Sequence, residues 1–117
     1  VKYIYLNGGK DHLSFREGSG GTVEIFDIAV NSERRKGVGR KLVQILLTQL
    51  VKEDQTPPTV FAVCRSTNKI AHLFYEGVGF RIVANLFDFY KDGVRADDGR
   101  GCVDAVMYGY DIPRNSF

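Results

Sequence analysis

Cysteine is scarce in this 117-residue chain: Cys64 and Cys102 are the only two. No Cys-x-x-Cys pair and no Cys/His spacing accompanies them, which argues against a disulfide framework and a metal site and fits a reducing, cytoplasmic compartment. Charge of one sign is also missing in bulk. A formal net charge of +2 and a pI near 8.6 fall short of the basic profile of a domain that works on nucleic acid, and no aromatic stacking surface lies among the cations. No apolar run approaches the roughly 20 residues of a membrane span, and nothing at the start resembles a signal peptide. What is present, 44% hydrophobic and 26% charged residues, is the composition of a globular chain, and residues 1–117 are expected to form a single domain with one core.

The hydrophobic pattern sets out the elements. "VKYIYL" and "HLSFRE" flank the turn "NGGKD" and predict an opening hairpin. "TVEIFDIAV", residues 22–30, is apolar on both parities except for Glu24 and Asp27, as in a strand covered on both faces. From Gly37 to Lys52, Val38, Leu42, Ile45, Leu46 and Leu50 recur at helical spacing until "DQTPPT" stops the helix. "VFAVC" at 60–64 is a second buried strand; Ser66, Thr67 and Asn68 offer caps for a helix through "KIAHLFYEGVG", which Gly77 and Gly79 would end. "FRIVANLFDFY" and "CVDAVMYGYDI" close the chain as strands around a polar loop. The expected class is α/β with a mixed sheet: a central β-α-β-α unit flanked by antiparallel strands.

Between the third strand and the first helix lies "RRKGVGRKL", residues 34–42, five cations and two glycines in nine positions. A helix start presents unpaired amides and the positive end of the helix dipole. Gly37 and Gly39 remove side chains that would hold a phosphate off that backbone, and Arg34, Arg35, Lys36, Arg40 and Lys41 surround it with positive charge. The inferred ligand is a pyrophosphate or phosphorylated group, although a solvated basic helix start with turn glycines is the commoner meaning of a lone Gly-x-Gly. A Walker loop and a dinucleotide fingerprint are excluded, because the Gly-Lys-Ser/Thr ending and the third glycine are missing.

The same stretch, "VNSERRKGVGRKLV", resembles the acetyl-CoA-binding motif of the GNAT superfamily of N-acetyltransferases, with Arg34, Gly37 and Gly39 at its defining positions. "NKIAHLFYEGVGF" is similar to the second family signature through Asn68, Ala71, Phe74, Tyr75, Glu76, Gly79 and Phe80. The resemblance covers roughly residues 22–110 and implies a GNAT-like acyl-CoA N-acyltransferase fold. It implies acetyl-CoA as cofactor, released as CoA, with pyrophosphate on the amides of Arg35, Lys36, Gly37, Val38, Gly39 and Arg40. Pantetheine would lie along Ile28, Ala29 and Val30, with a hydrogen bond from Asn68. Glu24 would be the base that deprotonates the acceptor ammonium and Tyr75 the acid that protonates the departing thiolate.

Glu24 and Asp27 point to opposite faces under strict alternation, so only one faces the cleft unless a bulge resets the parity; an ion pair at the strand is the ordinary alternative for either. Tyr75 could equally pack on the sheet, Asn68 could be a cap alone, and His12, His72 and Cys64 read as packing residues. The implied activity is transfer of acetyl to a primary amine, on a small molecule, protein or peptide, by direct attack in a ternary complex. The alternative is a non-catalytic acyl-CoA-binding or regulatory domain. Family members usually carry an N-terminal strand and two helices where this chain has only a hairpin. The acceptor wall is therefore expected to be abbreviated, with a partner chain, a homodimer included, or the loop 91–101 completing it.

Overall fold

In a computed structural model of the chain, residues 1–32, 37–53, 59–91 and 103–112 are described. The strands are β1 (Lys2–Leu6), β2 (Asp11–Glu17), β3 (Thr22–Ala29), β4 (Thr59–Arg65), β5 (Arg81–Tyr90) and β6 (Val103–Asp111), and the helices α1 (Val38–Glu53) and α2 (Lys69–Gly77). The order is the one read from the hydrophobic pattern, with ends shifted by a residue or so. The strands form a mixed sheet hydrogen-bonded in the order β1-β2-β3-β4-β6-β5. Antiparallel pairing joins β1 to β2, β2 to β3 and β5 to β6.

The chain divides into two compact units, Val1–Phe61 with Asp111–Phe117, and Ala62–Tyr110. In the first, α1 lies against β1 and β2. Ile4, Leu13, Phe15, Val23 and Ile25 from the strands are buried, as are Leu42, Val43, Leu46 and Leu50 from the helix. Burying each such side chain contributes about 1.5–3 kcal/mol. The helical spacing placed Val38 and Ile45 on the buried face; Val43 takes that place and those two are half-buried.

The second unit is built around α2 and β6, with Ala62, Cys64, Phe80, Ala105, Val106 and Tyr108 buried. Both ends of α2 are closed by local sequence. Asn68 is its N-cap, the side-chain oxygen accepting from the Ala71 amide at 3.1 Å. At the other end the Phe80 amide donates to the Tyr75 carbonyl and the Gly79 amide to that of Glu76, the two bonds of a Schellman motif. Gly79 supplies the required positive φ of 102°.

Candidate functional site

Strand β3 carries one extra residue. Ser14 of β2 faces Asp27, but Phe15 faces Ile25 and Arg16 faces Glu24, which leaves Phe26 as a bulge. Ser14 and Arg16 lie on one face of β2, so the bulge brings Glu24 and Asp27 to that same face, opposite the buried Val23 and Ile25. Each carboxylate has a partner on β2: Arg16 Nη2 donates to Glu24 Oε1 at 3.0 Å, and His12 Nε2 lies 3.3 Å from Asp27 Oδ2. The Arg16 guanidinium also sits 4.8 Å from the ring centre of Phe26. Glu24 is the more enclosed, its side chain 21% exposed against 63% for Asp27.

Beyond Ile28, Ala29 and Val30 the backbone is clamped by a residue that the sequence reading passed over. Asp11, at the start of β2, is 0% exposed. Its Oδ1 accepts from the backbone amides of Asn31 and Ser32 at 2.7 and 2.9 Å. Its Oδ2 accepts from Asn7 Nδ2 at 2.6 Å and from the Ser32 hydroxyl. These bonds, led by those from Asn7 and Ser32, hold its pKa far below the ordinary carboxylate value, against the opposing effect of burial. No local signal announces this, since the partners on the far side are 20 and 21 residues away.

At the helix start Gly37 has a φ of +74°, and among the described residues a Cβ built on it would meet nothing within 4 Å. Its carbonyl accepts from the Lys41 amide at 3.0 Å, the first turn of α1. Gly39 and Arg40 lie in that turn. A positive-φ glycine opening a helix is a backbone of the kind that could hold a pyrophosphate. Arg34, Arg35 and Lys36 lie outside the described residues, as does loop 92–102 with Asp92, Asp97, Asp98 and Cys102.

In the second unit Tyr75 is half-buried in an aromatic cluster. Its ring stacks on Tyr108 at 5.6 Å and 27°, with Phe80 and Phe74 both at 5.3 Å. Tyr108 is 0% exposed. Its hydroxyl donates to Glu76 Oε2 at 2.7 Å and lies 2.7 Å from His72 Nδ1, while His72 Nε2 is 2.9 Å from the Ser66 carbonyl oxygen. Burial, then the bond to Glu76, raises the Tyr108 pKa well above the ordinary phenol value, so the hydroxyl stays protonated. His72 and Glu76 are four apart and so share a helix face, a signal available in the sequence; Tyr108 as their meeting point was not. Burial also pushes the Cys64 thiol up, consistent with a packed, inert cysteine. Among the described residues no cluster of His, Cys, Asp and Glu could hold a metal ion, and no helix is long and apolar enough to cross a membrane.

The profile of the acetyltransferase (GNAT) family matches residues 5–80, and the chain belongs to that family. Among solved structures it is similar to the ribosomal-protein-S18-alanine N-acetyltransferase of Escherichia coli, with a TM-score of 0.70 and 25% identity over 94% of this chain and 69% of that one. A Bacillus subtilis acetyltransferase in complex with CoA is 26% identical over 89% of this chain and 70% of its own, with a TM-score of 0.70. A GNAT acetyltransferase of Elizabethkingia anophelis with acetyl-CoA bound shares the fold, with a TM-score of 0.74 and 20% identity over 93% of this chain and 72% of that one. The chain spans about two thirds of the length of the solved structures it matches. No sequence among curated proteins matches it.

Proposed function

We propose that the chain transfers acetyl from acetyl-CoA to a primary amine, by direct attack of the amine within a ternary complex. The observation that carries this reading is the junction at Gly37, a positive-φ glycine opening a helix, with no described atom within 4 Å of where its side chain would be. It follows a bulged strand, in a member of the acetyltransferase family. Bound acetyl-CoA supplies the activated acetyl group as a thioester and takes the sulfur away as a thiol. The amides of residues 37–40, together with Arg34, Arg35, Lys36 and Lys41, are assigned to its pyrophosphate. Ile28, Ala29 and Val30 are assigned to the pantetheine arm. Asn68 uses its oxygen for the cap of α2, and its amide NH₂ is assigned to a pantetheine carbonyl.

An alkylammonium cannot attack, so a base must remove its proton, directly or through one water. Glu24 is assigned that role. The bulge at Phe26 makes Asp27 the neighbouring alternative on the same face. With acetyl-CoA bound, Tyr75 would give its phenolic proton to the sulfur as the carbon–sulfur bond breaks, and the proton that the new amide nitrogen sheds would return the phenolate to its neutral form. The acceptor is a small amine, a protein or a peptide amine, and the working compartment is the cytoplasm.

The ion pair between Glu24 and Arg16 favours a second reading, a non-catalytic acyl-CoA-binding domain in which Glu24 only stabilises the sheet. Thiol release from acetyl-CoA, measured with a panel of primary amines, decides between them. Amine-dependent release with matching acetylated product supports the enzyme. CoA binding without release against any amine supports the binder.

A further inference from the structure

The Asp11 carboxylate does not belong to the chemistry assigned above, yet it is buried and fully engaged. Four donors converge on it, two of them consecutive backbone amides on the segment leaving β3. One carboxylate oxygen holding the amides of Asn31 and Ser32 fixes two adjacent peptide planes. A charged acceptor makes those bonds shorter and stronger than a neutral one would. Asn31 returns a further bond from its side chain to the Lys10 carbonyl at 3.0 Å, so the exit of β3 is tied to the β1–β2 turn from both directions. That exit separates the strand end Ile28–Val30 from the positive-φ glycine at 37.

We infer that Asp11 is a positioning residue for acetyl-CoA: its carboxylate sets the direction in which the backbone leaves β3 and so the placement of the amides that receive the pyrophosphate. The inference rests on the proposed assignment of that phosphate to the Gly37 junction. Two consequences follow from the geometry. The Asn31 and Ser32 amides are occupied by Asp11, so they are not offered to an anion. A neutral amide in place of the carboxylate would present an NH₂ to a donor, or one acceptor oxygen where two are in use, so the exit of β3 would loosen without loss of core volume.

The test compares wild type, Asp11→Asn and Ser32→Ala by calorimetric titration with CoA. Steady-state kinetics follow with acetyl-CoA and with a short acetyl thioester that lacks the nucleotide and pyrophosphate. Asp11→Asn is expected to raise the CoA Kd and the acetyl-CoA KM by about 10- to 100-fold. It should leave kcat at saturation within about twofold and kcat/KM for the short thioester unchanged, the split expected when only binding is lost. Ser32→Ala removes one of the four bonds and should raise Kd by about threefold. A folded Asp11→Asn protein with wild-type CoA affinity overturns the inference, as does an equal loss with both donors, which would mark a general structural defect. If Asp11→Asn does not fold, wild-type affinity in Ser32→Ala overturns it. Failure of the wild type to bind CoA would instead overturn the proposed function.

Discussion

The two units hold their candidate groups by different means. In Val1–Phe61 the important object is backbone: a bulged strand, a helix start and a strand exit whose amides are held by the buried carboxylate of Asp11. In Ala62–Tyr110 it is side chain: the Tyr75 ring stacked on Tyr108, whose hydroxyl is held between Glu76 and His72. Backbone amides can be aimed at an anion only by fixing peptide planes, which a carboxylate accepting several N–H bonds does well. A phenol that must deliver a proton needs a fixed ring, which aromatic packing supplies. The difference matches the tasks proposed for the two groups compared, anion binding for the Gly37 junction and proton delivery for Tyr75.

The largest expected effect breaks the second unit's half of the comparison. Tyr75→Phe keeps the stack on Tyr108 and removes the reactive hydroxyl, so turnover should fall by about 100- to 10,000-fold with CoA affinity nearly unchanged. Equal turnover in the two proteins would return Tyr75 to a packing role. Next comes the first unit. Gly37→Val forces a β-branched side chain into a positive-φ position and fills the space left for the anion. CoA affinity should fall by about 10- to 100-fold by calorimetry, and an unchanged affinity in the folded variant would remove the phosphate from this junction.

Tyr108→Phe tests whether the second unit depends on its hydrogen bonds as well as its rings. It should lower stability by about 1–3 kcal/mol in denaturant melts, since Glu76 and His72 each lose a partner. The same variant carries a pH signature. Because the Tyr108 pKa is raised in the folded state, the unfolded chain binds fewer protons above about pH 10, and wild-type stability falls there as pH rises. Tyr108→Phe should flatten that alkaline slope; an identical slope would show that Tyr108 does not titrate on unfolding. Glu24→Gln is the smallest of the four. It should keep CoA binding and cut the rate about tenfold near neutral pH, the defect shrinking as pH rises and the amine deprotonates unaided. A lower melting temperature with a normal pH–rate profile would leave Glu24 as the partner of Arg16 and move the base to Asp27 or water.

Much of this was legible in the order of residues. Strand and helix periodicities lie within windows of about ten residues, so β1 to β6 and both helices could be placed from them. The cap at Asn68 and the stop at Gly79 act between residues no more than a few positions apart, and they too were read directly. The glycine–cation junction and the Asn-to-Phe signature are likewise continuous stretches, and the family follows from them.

Three features were settled by tertiary structure alone. The bulge at Phe26 depends on how β2 and β3 register, and it alone decides that Glu24 and Asp27 share a face. Asp11 sits beside a turn rich in Asn and Gly and looks like any turn residue until the chain returns some twenty residues later to place the Asn31 and Ser32 amides on it. Tyr108 meets Glu76 across 32 residues and His72 across 36. Local sequence encodes backbone preference and the face a side chain takes, because those are decided by neighbours within a turn or a pleat. Which two distant groups share a proton, or which carboxylate holds which amide, is decided only when the sheet and its helices close around them.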